Sequence, residues 1–405
     1  MISLTYKQFV APANRHFEVV ERKGLGHPDT MSDLIAEEFS FLYSRYCIEK
    51  FGQVLNHAVD KVTLIGASTK VWLGGFDVIE PASILLIGKI TPGIISTRVP
   101  VHDIFREAVT RVIEYCLPDS SILKHTNLVI HNTFSSAVDR SANFYLPNSI
   151  DQAQEIGRKE LGANDTVFCT GSAERSPLEK LVLDLELAVT APHKRVLWPT
   201  VGTDVKVMVV RQGIEADITM CVPVDPRVVQ NRTDYENIVD VVRKDLERLI
   251  QQSAFPNARL NLNTKDADGG MYLAPFGTSF GKSDCGAVGR GNRLEGFIAA
   301  FRPTNIEAPS GKNPLHHAGK LYTIAAQQIA DEIFARCDAS SAVSIVARNG
   351  DPLSSPAYIN IDREAGEASA DNICNIASNI IENIGAISNQ LITKDPLAIL
   401  ASEPI

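Results

Sequence analysis

The first residues along the chain whose types and spacing could do chemistry stand around a proline, in the run RKGLGHPDT at positions 22–30. Proline is favoured at the first position of a helix, where its missing N–H costs no hydrogen bond, so the run predicts a loop entering a helix at Pro28. The free N–H groups of such a helix end attract phosphate, and Lys23 and His27 would add cationic donors. Asp29 could hold a Mg²⁺ ion that also binds phosphates. The alternative is a turn with a good helix cap, in which Asp29 only complements the helix dipole.

A glycine–lysine pair precedes another proline, in the run SGKNP at positions 310–314. This is not a Walker motif, because Ile306 rather than glycine stands five residues before Gly311. Lys312 alone could be a solvated loop lysine. However, the same point of two predicted repeats carries glycine next to a cationic donor, so we expect a phosphate-bearing ligand to bind between the repeats.

The run GKSDCGAVGRGNR at positions 281–293 is too rich in glycine for a stable helix or an ordinary strand. We expect a flexible or tightly turned loop that displays Asp284, Arg290 and Arg293. The alternative is a linker between two modules that has no further role.

A predicted strand carries the run Asp204-Val205-Lys206, and strand alternation would place Asp204 and Lys206 on one face. An exposed cross-strand ion pair is the alternative. Together, the charged runs predict a phosphorylated substrate, a nucleotide, held by Mg²⁺, lysines and arginine between modules. Because no Ser-His-Asp set or metal-hydrolase histidine pair stands in the sequence, we expect stabilisation of developing charge rather than a protein nucleophile.

Composition limits the class of protein that must position these residues. The 405 residues correspond to two or three domains, and 44% of them are hydrophobic, which excludes a disordered chain. With 39 basic and 48 acidic residues the formal charge is −9, so nucleic acid is not an expected partner. The longest apolar runs are short and interrupted by Lys89 and Lys206, and the amino end does not resemble a signal peptide. Seven scattered cysteines favour a reducing compartment, so we expect a cytoplasmic protein without a membrane segment.

One helix–strand–strand–helix pattern occurs three times, which predicts an α+β fold of three modules related by a pseudo-threefold repeat. Each module would form a small, mostly antiparallel sheet with helices on one face. The first helices are expected to start at Pro28 (ending at Gly52), Pro177 (fading near Pro192) and Pro314. Strand pairs and second helices are expected over 59–66, 84–91 and 101–117, then 204–211, 215–222 and 235–252, then 342–348, 357–361 and 371–384. The expected modules are residues 23–150, residues 1–22 with 151–280, and residues 281–405.

Five runs in this order resemble the S-adenosylmethionine synthetases, or methionine adenosyltransferases, of the archaeal-type branch. They are ERKGLGHPD (21–29), ANDT (163–166), DVK (204–206), VGRGNR (288–293) and APSGKNP (308–314), the last followed by GK at 319–320. The resemblance covers most of the chain, and that family's fold has three pseudo-threefold α+β domains. It implies that the sulfur of L-methionine attacks C5′ of ATP and expels triphosphate, which is then hydrolysed to pyrophosphate and phosphate.

The same resemblance implies residue roles. His27, Lys206, Arg290, Lys312 and Lys320, whose spacing from Lys312 differs between branches of the family, would neutralise the triphosphate, and Asp29 would hold Mg²⁺. Substrate-binding positions of the family correspond to Asn164, Asp165 and Asp204 near the adenosine and to Asp284 near the methionine. K⁺ is implied as a second cation, and a homodimer with active sites between subunits, which could pair into a tetramer, is implied as the assembly.

Three places depart from the family pattern: Cys285 replaces an acidic residue, the run VWLGG at 71–75 is bulkier, and residues 131–136 lack an expected glycine segment. These departures leave two alternatives open, a Mg²⁺-dependent triphosphatase or an adenosyltransferase that uses another thioether. A non-catalytic paralogue with a regulatory role is the third alternative.

Overall fold

The computed structural model describes residues 2–6, 9–94, 97–133, 142–159, 162–191, 199–364 and 369–402. Pro192, where the second long helix was expected to fade, and residues 134–136 of the departing run lie outside these ranges.

Local sequence signals explain where two of the long helices begin and end. The first begins at Pro28, with His27 as its N-cap, and ends before Gly52, whose φ of 73° is left-handed and so favours glycine. The helix that begins at Pro177 has a capping box, in which Ser176 and Glu179 satisfy each other's backbone N–H groups. The helices of the described residues are α1 Pro28–Phe51, α2 Val101–Cys116, α3 Ala142–Tyr145, α4 Ile150–Lys159, α5 Pro177–Thr190, α6 Arg232–Gln252, α7 Ala318–Cys337, α8 Ala370–Glu382, α9 Ile384–Thr393 and α10 Pro396–Ser402.

The strands form three main sheets, with most neighbours antiparallel, and the fold is α+β. Their bounds are β1 Ile2–Tyr6, β2 Phe17–Lys23, β3 His57–Ile65, β4 Ser68–Trp72, β5 Gly75–Glu80, β6 Ala82–Ile90, β7 Gly93–Ile94, β8 Thr97–Arg98, β9 Thr126–Asn132, β10 Phe168–Ala173, β11 Lys206–Gln212, β12 Glu215–Cys221, β13 Arg259–Leu262, β14 Cys285–Ala287, β15 Ile298–Ala299, β16 Ser341–Val346 and β17 Tyr358–Arg363. The strand orders are β14-β3-β6-β9, β13-β12-β11-β2-β15 and β1-β17-β16-β10.

Each main sheet has its own hydrophobic core against a pair of long helices. Helices α1 and α2 cover the first sheet, α5 and α6 the second, and α7 and α8 the third. In the first core, the rings of Phe39 and Phe105 meet edge to face with centroids 6.3 Å apart. Burial of such faces is the main stabilising contribution of each layer.

Several strands pair in a sheet other than the one expected for their module. The module boundaries given above are therefore kept as a proposal. Strand β1 pairs with β17 and β10 pairs with β16, so both belong to the third sheet rather than to the second. Between the first two sheets, β14 pairs with β3 and β15 pairs with β2. The glycine-rich segment therefore connects the first sheet to the second.

Three local expectations were wrong. The third long helix begins at Ala318 rather than at Pro314, because residues 314–316 form turns and the side chain of Asn313 accepts a hydrogen bond from the Leu315 N–H. Asp204 lies before β11, so strand alternation does not place it on one face with Lys206. The glycine-rich run is not loop throughout, because β14 lies inside it.

Within the described residues, no helix is long and apolar enough to cross a membrane.

Candidate active site

Asp29 lies in the first turn of α1 and is the best-anchored carboxylate of the candidate site. Its Oδ1 accepts a hydrogen bond of 3.0 Å from the backbone N–H of Ala287, and its Oδ2 lies 2.9 Å from Nζ of Lys23. Burial tends to raise the pKa of Asp29, but the Lys23 ammonium and the Ala287 N–H outweigh it, so the pKa lies below its usual value. Asp29 is therefore a buried carboxylate that stays ionised at neutral pH.

His27 caps the same helix. Its Nδ1 accepts a hydrogen bond of 3.1 Å from the backbone N–H of Asp29, which leaves the ring proton on Nε2. Burial lowers the pKa of His27 in spite of the nearby carboxylates of Asp204 and Asp29. The expected cationic role is thereby corrected: at neutral pH, His27 offers an Nε2–H donor rather than a positive charge.

Asp204 and Asp284 share a partner in Ser279. The Ser279 N–H donates to Asp204 Oδ2 at 2.7 Å, and its hydroxyl donates to the same oxygen. That hydroxyl also lies 3.3 Å from Asp284 Oδ2. Burial raises the pKa of Asp204, although the neighbouring His27 ring and the Ser279 hydrogen bonds act the other way. Both carboxyl groups therefore lie beside His27, where the sequence predicted substrate contacts.

Two of the expected cations approach the same place from the second sheet and from the glycine-rich segment. Lys206 lies opposite Lys23 in the β11–β2 pairing, and its Nζ is 3.1 Å from Glu21 Oε1. Arg290 Nε lies 3.9 Å from Asp29 Oδ1, and the Arg290 side chain is 74% exposed. The name His27 cluster is used below for His27, Asp29, Asp204, Lys206, Asp284 and Arg290.

The remaining expected lysines form a second group, named the Lys312 cluster: Lys312, Lys320, Glu37 and Glu307. The ammonium of Lys320 lies 2.6 Å from both Glu37 carboxylate oxygens and donates to the Lys312 carbonyl oxygen at 3.1 Å. Lys312 pairs with Glu307. Both lysines are almost fully buried, so their charges are already neutralised within the chain.

The two clusters do not meet in one cradle within a single chain. Asp29 and Glu37 are eight residues apart on α1, which corresponds to about 12 Å along the helix. A cleft of about 400 Å³ lies between the clusters, and it is lined by Lys23 and Asp33 on one side and by Glu307 and Ser310 on the other. The expected convergence of His27, Lys206 and Arg290 is observed, whereas Lys312 and Lys320 lie apart.

Asn164 and Asp165 are neighbours in the sequence but have different surroundings in the structure. The Asn164 side chain accepts a hydrogen bond of 2.9 Å from the backbone N–H of Ala318, so it lies at the start of α7 beside the Lys312 cluster. Asp165 is exposed, and its Oδ1 accepts from the Thr166 N–H at 2.7 Å. Asn164 therefore has a helix-capping role, and Asp165 has no contact with the His27 cluster among its hydrogen bonds.

The residues around Asp29 fit a Mg²⁺ ion that also binds phosphate. Within the described residues no group of three or more His, Cys, Asp or Glu side chains could hold a metal ion. Mg²⁺ commonly takes only one or two protein carboxylates and completes its shell with substrate phosphates and water. Asp29 is an ionised, buried carboxylate that already attracts one cation, the ammonium of Lys23. A metal site made by protein ligands alone does not fit.

Sequence reasoning missed two carboxylates on α1. Asp33 and Glu37 follow Asp29 at intervals of four residues, so all three share one helix face. Each accepts a backbone N–H from a different point of the cation-bearing segments: Asp29 from Ala287, Asp33 from Gly289, and Glu37 from the residue before Lys312. The four-residue spacing was the signal in the sequence that could have found them.

The chain is similar over most of its length to known proteins of one family. The family model described as S-adenosylmethionine synthetase (AdoMet synthetase) matches residues 1–395. The S-adenosylmethionine synthase of Aeropyrum pernix is 35% identical over 399 residues, which cover 93% of this chain and 94% of that protein. The enzyme of Pyrobaculum neutrophilum is 35% identical over 372 residues, which cover 86% and 87%.

Among solved structures, an unusual S-adenosylmethionine synthetase from Campylobacter jejuni superposes with a TM-score of 0.61. The match covers 96% of this chain and 94% of that one at 13% sequence identity, so it supports the fold alone.

Proposed function

Because this chain belongs to the S-adenosylmethionine synthetase family, in its archaeal-type branch, and is a methionine adenosyltransferase, we propose that the His27 cluster is where it joins L-methionine to ATP. In the proposed reaction a lone pair of the methionine sulfur forms the S–C5′ bond. The C5′–O bond breaks, and its electron pair leaves on the triphosphate. Water then cleaves the triphosphate to pyrophosphate and phosphate. No general base is needed for the first step, since a thioether sulfur carries no proton to remove.

The observation that carries this proposal is the convergence of three elements on the start of α1. The helix N-terminus, the end of β2 with the start of β11, and the glycine-rich segment bring Asp29, His27, Lys206 and Arg290 together. Positive partial charge and cationic side chains are what a departing polyphosphate requires, because its negative charge grows as the C5′–O bond breaks.

Each side chain has a distinct task in this proposal. Arg290, whose side chain is mostly exposed, binds the polyphosphate, and His27 donates its Nε2–H to a phosphate or bridging oxygen. Lys206 exchanges Glu21 for a phosphate oxygen. Asp204 and Asp284 are proposed to bind the adenosine and the methionine, where a carboxylate would stabilise the positive charge of the nascent sulfonium.

The separation of the Lys312 cluster supports a role for a second copy of the chain. We propose that Lys312 and Lys320 reach the polyphosphate of an active site formed between two subunits, with Glu307 and Glu37 as their partners when no substrate is bound. A homodimer is therefore proposed, and its pairing into a tetramer is left to measurement. Asn164 and Asp165 are assigned to the nucleotide-binding part of the same shared site.

S-adenosylmethionine synthetases are metal-dependent, and we propose Mg²⁺ and K⁺ for this chain. Asp29, together with substrate phosphates, would hold the Mg²⁺ ion, which supplies neutralisation of charge on the polyphosphate. K⁺ is proposed without an assigned set of ligands. None of the seven cysteines, all of which the structure describes, is in a disulfide bond, in keeping with the cytoplasmic location that we propose.

The test is incubation of the purified protein with ATP, Mg²⁺ and K⁺, with and without L-methionine, followed by mass spectrometry and phosphate assays. S-adenosylmethionine is expected only when methionine is present. Phosphate release without that product would favour a triphosphatase, and a product with a different thioether would favour a divergent adenosyltransferase. No turnover and no nucleotide binding would favour the non-catalytic alternative.

Asp29→Asn is the matched variant for this test, because it keeps the shape of the side chain and removes the charge. We expect product formation to be abolished. Asp103→Asn, an exposed acidic residue in the first turn of α2, is the control and should retain full activity. Full activity of Asp29→Asn would overturn the role assigned to Asp29.

A further inference from the structure

The backbone on both sides of Arg290 lies against one carboxyl group of α1. The N–H of Gly289 donates to Asp33 Oδ1 at 2.8 Å, and Gly291 packs closely against the same side chain. The side chain of Asp33 is half-buried. A Cβ atom at Gly291 would lie 2.2 Å from Asp33 Oδ2, so only glycine allows the backbone to come this close.

The segment is also tethered further out on both sides. Ala287 donates its N–H to Asp29, and the Asn292 side chain exchanges two hydrogen bonds with the backbone of Lys23, at 3.0 and 2.7 Å. Between these anchors the Arg290 side chain is 74% exposed. The backbone that carries Arg290 is thus fixed on α1 while its guanidinium is available to a ligand.

Glu37, the next carboxylate on the same face of α1, binds the other cation-bearing segment in the same way. Glu37 Oε2 accepts the N–H of Gly311 at 3.1 Å, and the same carboxylate binds the Lys320 ammonium. Helix rise separates Asp33 and Glu37 by about 6 Å. One turn of α1 therefore sets the spacing between the segment of Arg290 and the segment of Lys312.

We propose that Asp33 and Glu37 are positioning residues, which hold the two cation-bearing segments on α1 at a fixed spacing so that Arg290 and Lys312 are presented to the triphosphate. The inference rests on the proposed function for its link to catalysis, whereas the attachment of each segment to α1 can be tested without it. Each segment needs a hydrogen-bond acceptor on α1, because a backbone N–H that is shielded from water and has no acceptor lowers the stability of the fold. Asp33→Asn keeps an acceptor oxygen, and Asp33→Ala does not.

Hydrogen exchange tests the attachment directly. Asp33→Ala should speed exchange at the amide of Gly289 by at least about tenfold, with no change at Gly311. Glu37→Ala should do the reverse. Asp33→Asn should stay close to the parent protein, and Glu49→Ala, an exposed acidic residue on α1, should change neither segment. Equal exchange in Asp33→Ala and the parent protein would overturn the proposal, as would faster exchange throughout the chain.

A double-mutant cycle with Arg290 tests the link to catalysis. If Asp33 acts through Arg290, Asp33→Ala should lower kcat/KM about tenfold in the parent protein and less than about twofold in an Arg290→Ala background. Asp33→Asn should recover most of the activity. Equal losses in the two backgrounds would show that Asp33 acts on general stability and would overturn the inference. If the parent protein makes no S-adenosylmethionine at all, the proposed function fails, and the exchange data alone still decide the attachment.

Discussion

The His27 cluster and the Lys312 cluster contain the same kinds of residue but in opposite electrostatic states. In the His27 cluster, the side chains of Arg290 and Lys206 are 74% and 44% exposed. In the Lys312 cluster, those of Lys312 and Lys320 are 4% and 2% exposed, and each has a carboxylate partner. The difference teaches that the presence of a lysine at an expected position does not make its charge available to a ligand.

The physical reason is the cost of desolvation. A charge removed from water loses several kcal/mol of solvation, which only a close partner of opposite charge and further hydrogen bonds can offset. Lys320 therefore contributes first to joining α7 with α1, through Glu37, and Lys312 contributes first to holding the segment that precedes α7, through Glu307. Binding of polyphosphate there requires an exchange of carboxylate for phosphate, whereas Arg290 needs no such exchange.

The largest expected effect comes from breaking the buried pair of Lys320 and Glu37. Lys320→Met should lower the free energy of unfolding by about 3–5 kcal/mol, because it removes a buried ammonium and leaves the partly buried Glu37 carboxylate without its partner. Chemical denaturation measures this change.

The matched double variant Lys320→Met with Glu37→Gln should recover most of that loss, since no charge is then left unpaired and glutamine can still accept the N–H of Gly311. A loss below about 1 kcal/mol in Lys320→Met would contradict the buried, paired state described for the Lys312 cluster.

In the exposed cluster the expected effect is on activity instead of stability. Arg290→Ala should lower kcat by about 10²–10³-fold, comparable with the removal of one charge-stabilising donor in other enzymes. Its free energy of unfolding should change by less than about 0.5 kcal/mol, because the side chain is mostly exposed. Steady-state kinetics and denaturation are measured on the same preparation.

Arg336→Ala is the control, since Arg336 is an exposed arginine on α7 with an ion pair to Glu332. Arg336→Ala should change kcat by less than about twofold and the free energy of unfolding by less than about 0.5 kcal/mol. Equal activity of Arg290→Ala and Arg336→Ala would refute the role of Arg290 at the polyphosphate.

The parts of the fold that the sequence predicted are those with local signals. Proline at the first helical position, with a cap before it and glycine after it, located α1 to within one residue. The same reasoning failed at Pro314, because there the chain makes turns before α7 begins at Ala318. A proline is compatible with a helix start and with a turn, and the deciding contacts come from distant parts of the chain.

Long-range pairing explains what the sequence did not show. Nothing local to β1 indicates that it pairs in parallel with β17, and nothing local to the glycine-rich segment indicates that β14 pairs with β3. In the candidate site, residue types and motifs located the cations, but burial decides their protonation and availability. His27 is the clearest case, because its lowered pKa follows from surroundings that the sequence does not display.

Glu38 is a third case for the comparison, because it is a buried carboxylate whose ion pair with Arg111 offsets only part of the cost of burying its charge. Its side chain is fully buried, and burial raises its pKa to about 7 although Arg111 lies 3.0 Å away. The folded state therefore holds this proton more tightly than the unfolded state, so stability should fall as pH rises from about 4.5 to 7 and stay level above 7. The difference between pKa values of 4.5 and about 7 corresponds to roughly 3 kcal/mol of stability.

Glu38→Gln should remove that decline, so the variant should gain stability relative to the parent protein between pH 4.5 and 7. Thermal denaturation across this pH range measures the gain, and Glu49→Gln, exposed on the same helix, should run parallel to the parent protein. A constant difference between Glu38→Gln and the parent protein across the range would show that Glu38 ionises normally.

The smallest expected effect is at the partly exposed pair of Lys206 and Glu21, whose Nζ and Oε1 atoms lie 3.1 Å apart. Water and salt screen such a pair, so the coupling energy in a double-mutant cycle of Lys206→Met and Glu21→Gln should be below about 0.5 kcal/mol in stability. Because Glu21 competes with phosphate for Lys206, Glu21→Gln should leave KM for ATP unchanged or lower, whereas Lys206→Met should raise KM or lower kcat. A coupling energy above about 2 kcal/mol would place Lys206 with the buried lysines, and the contrast between the two clusters would then fail.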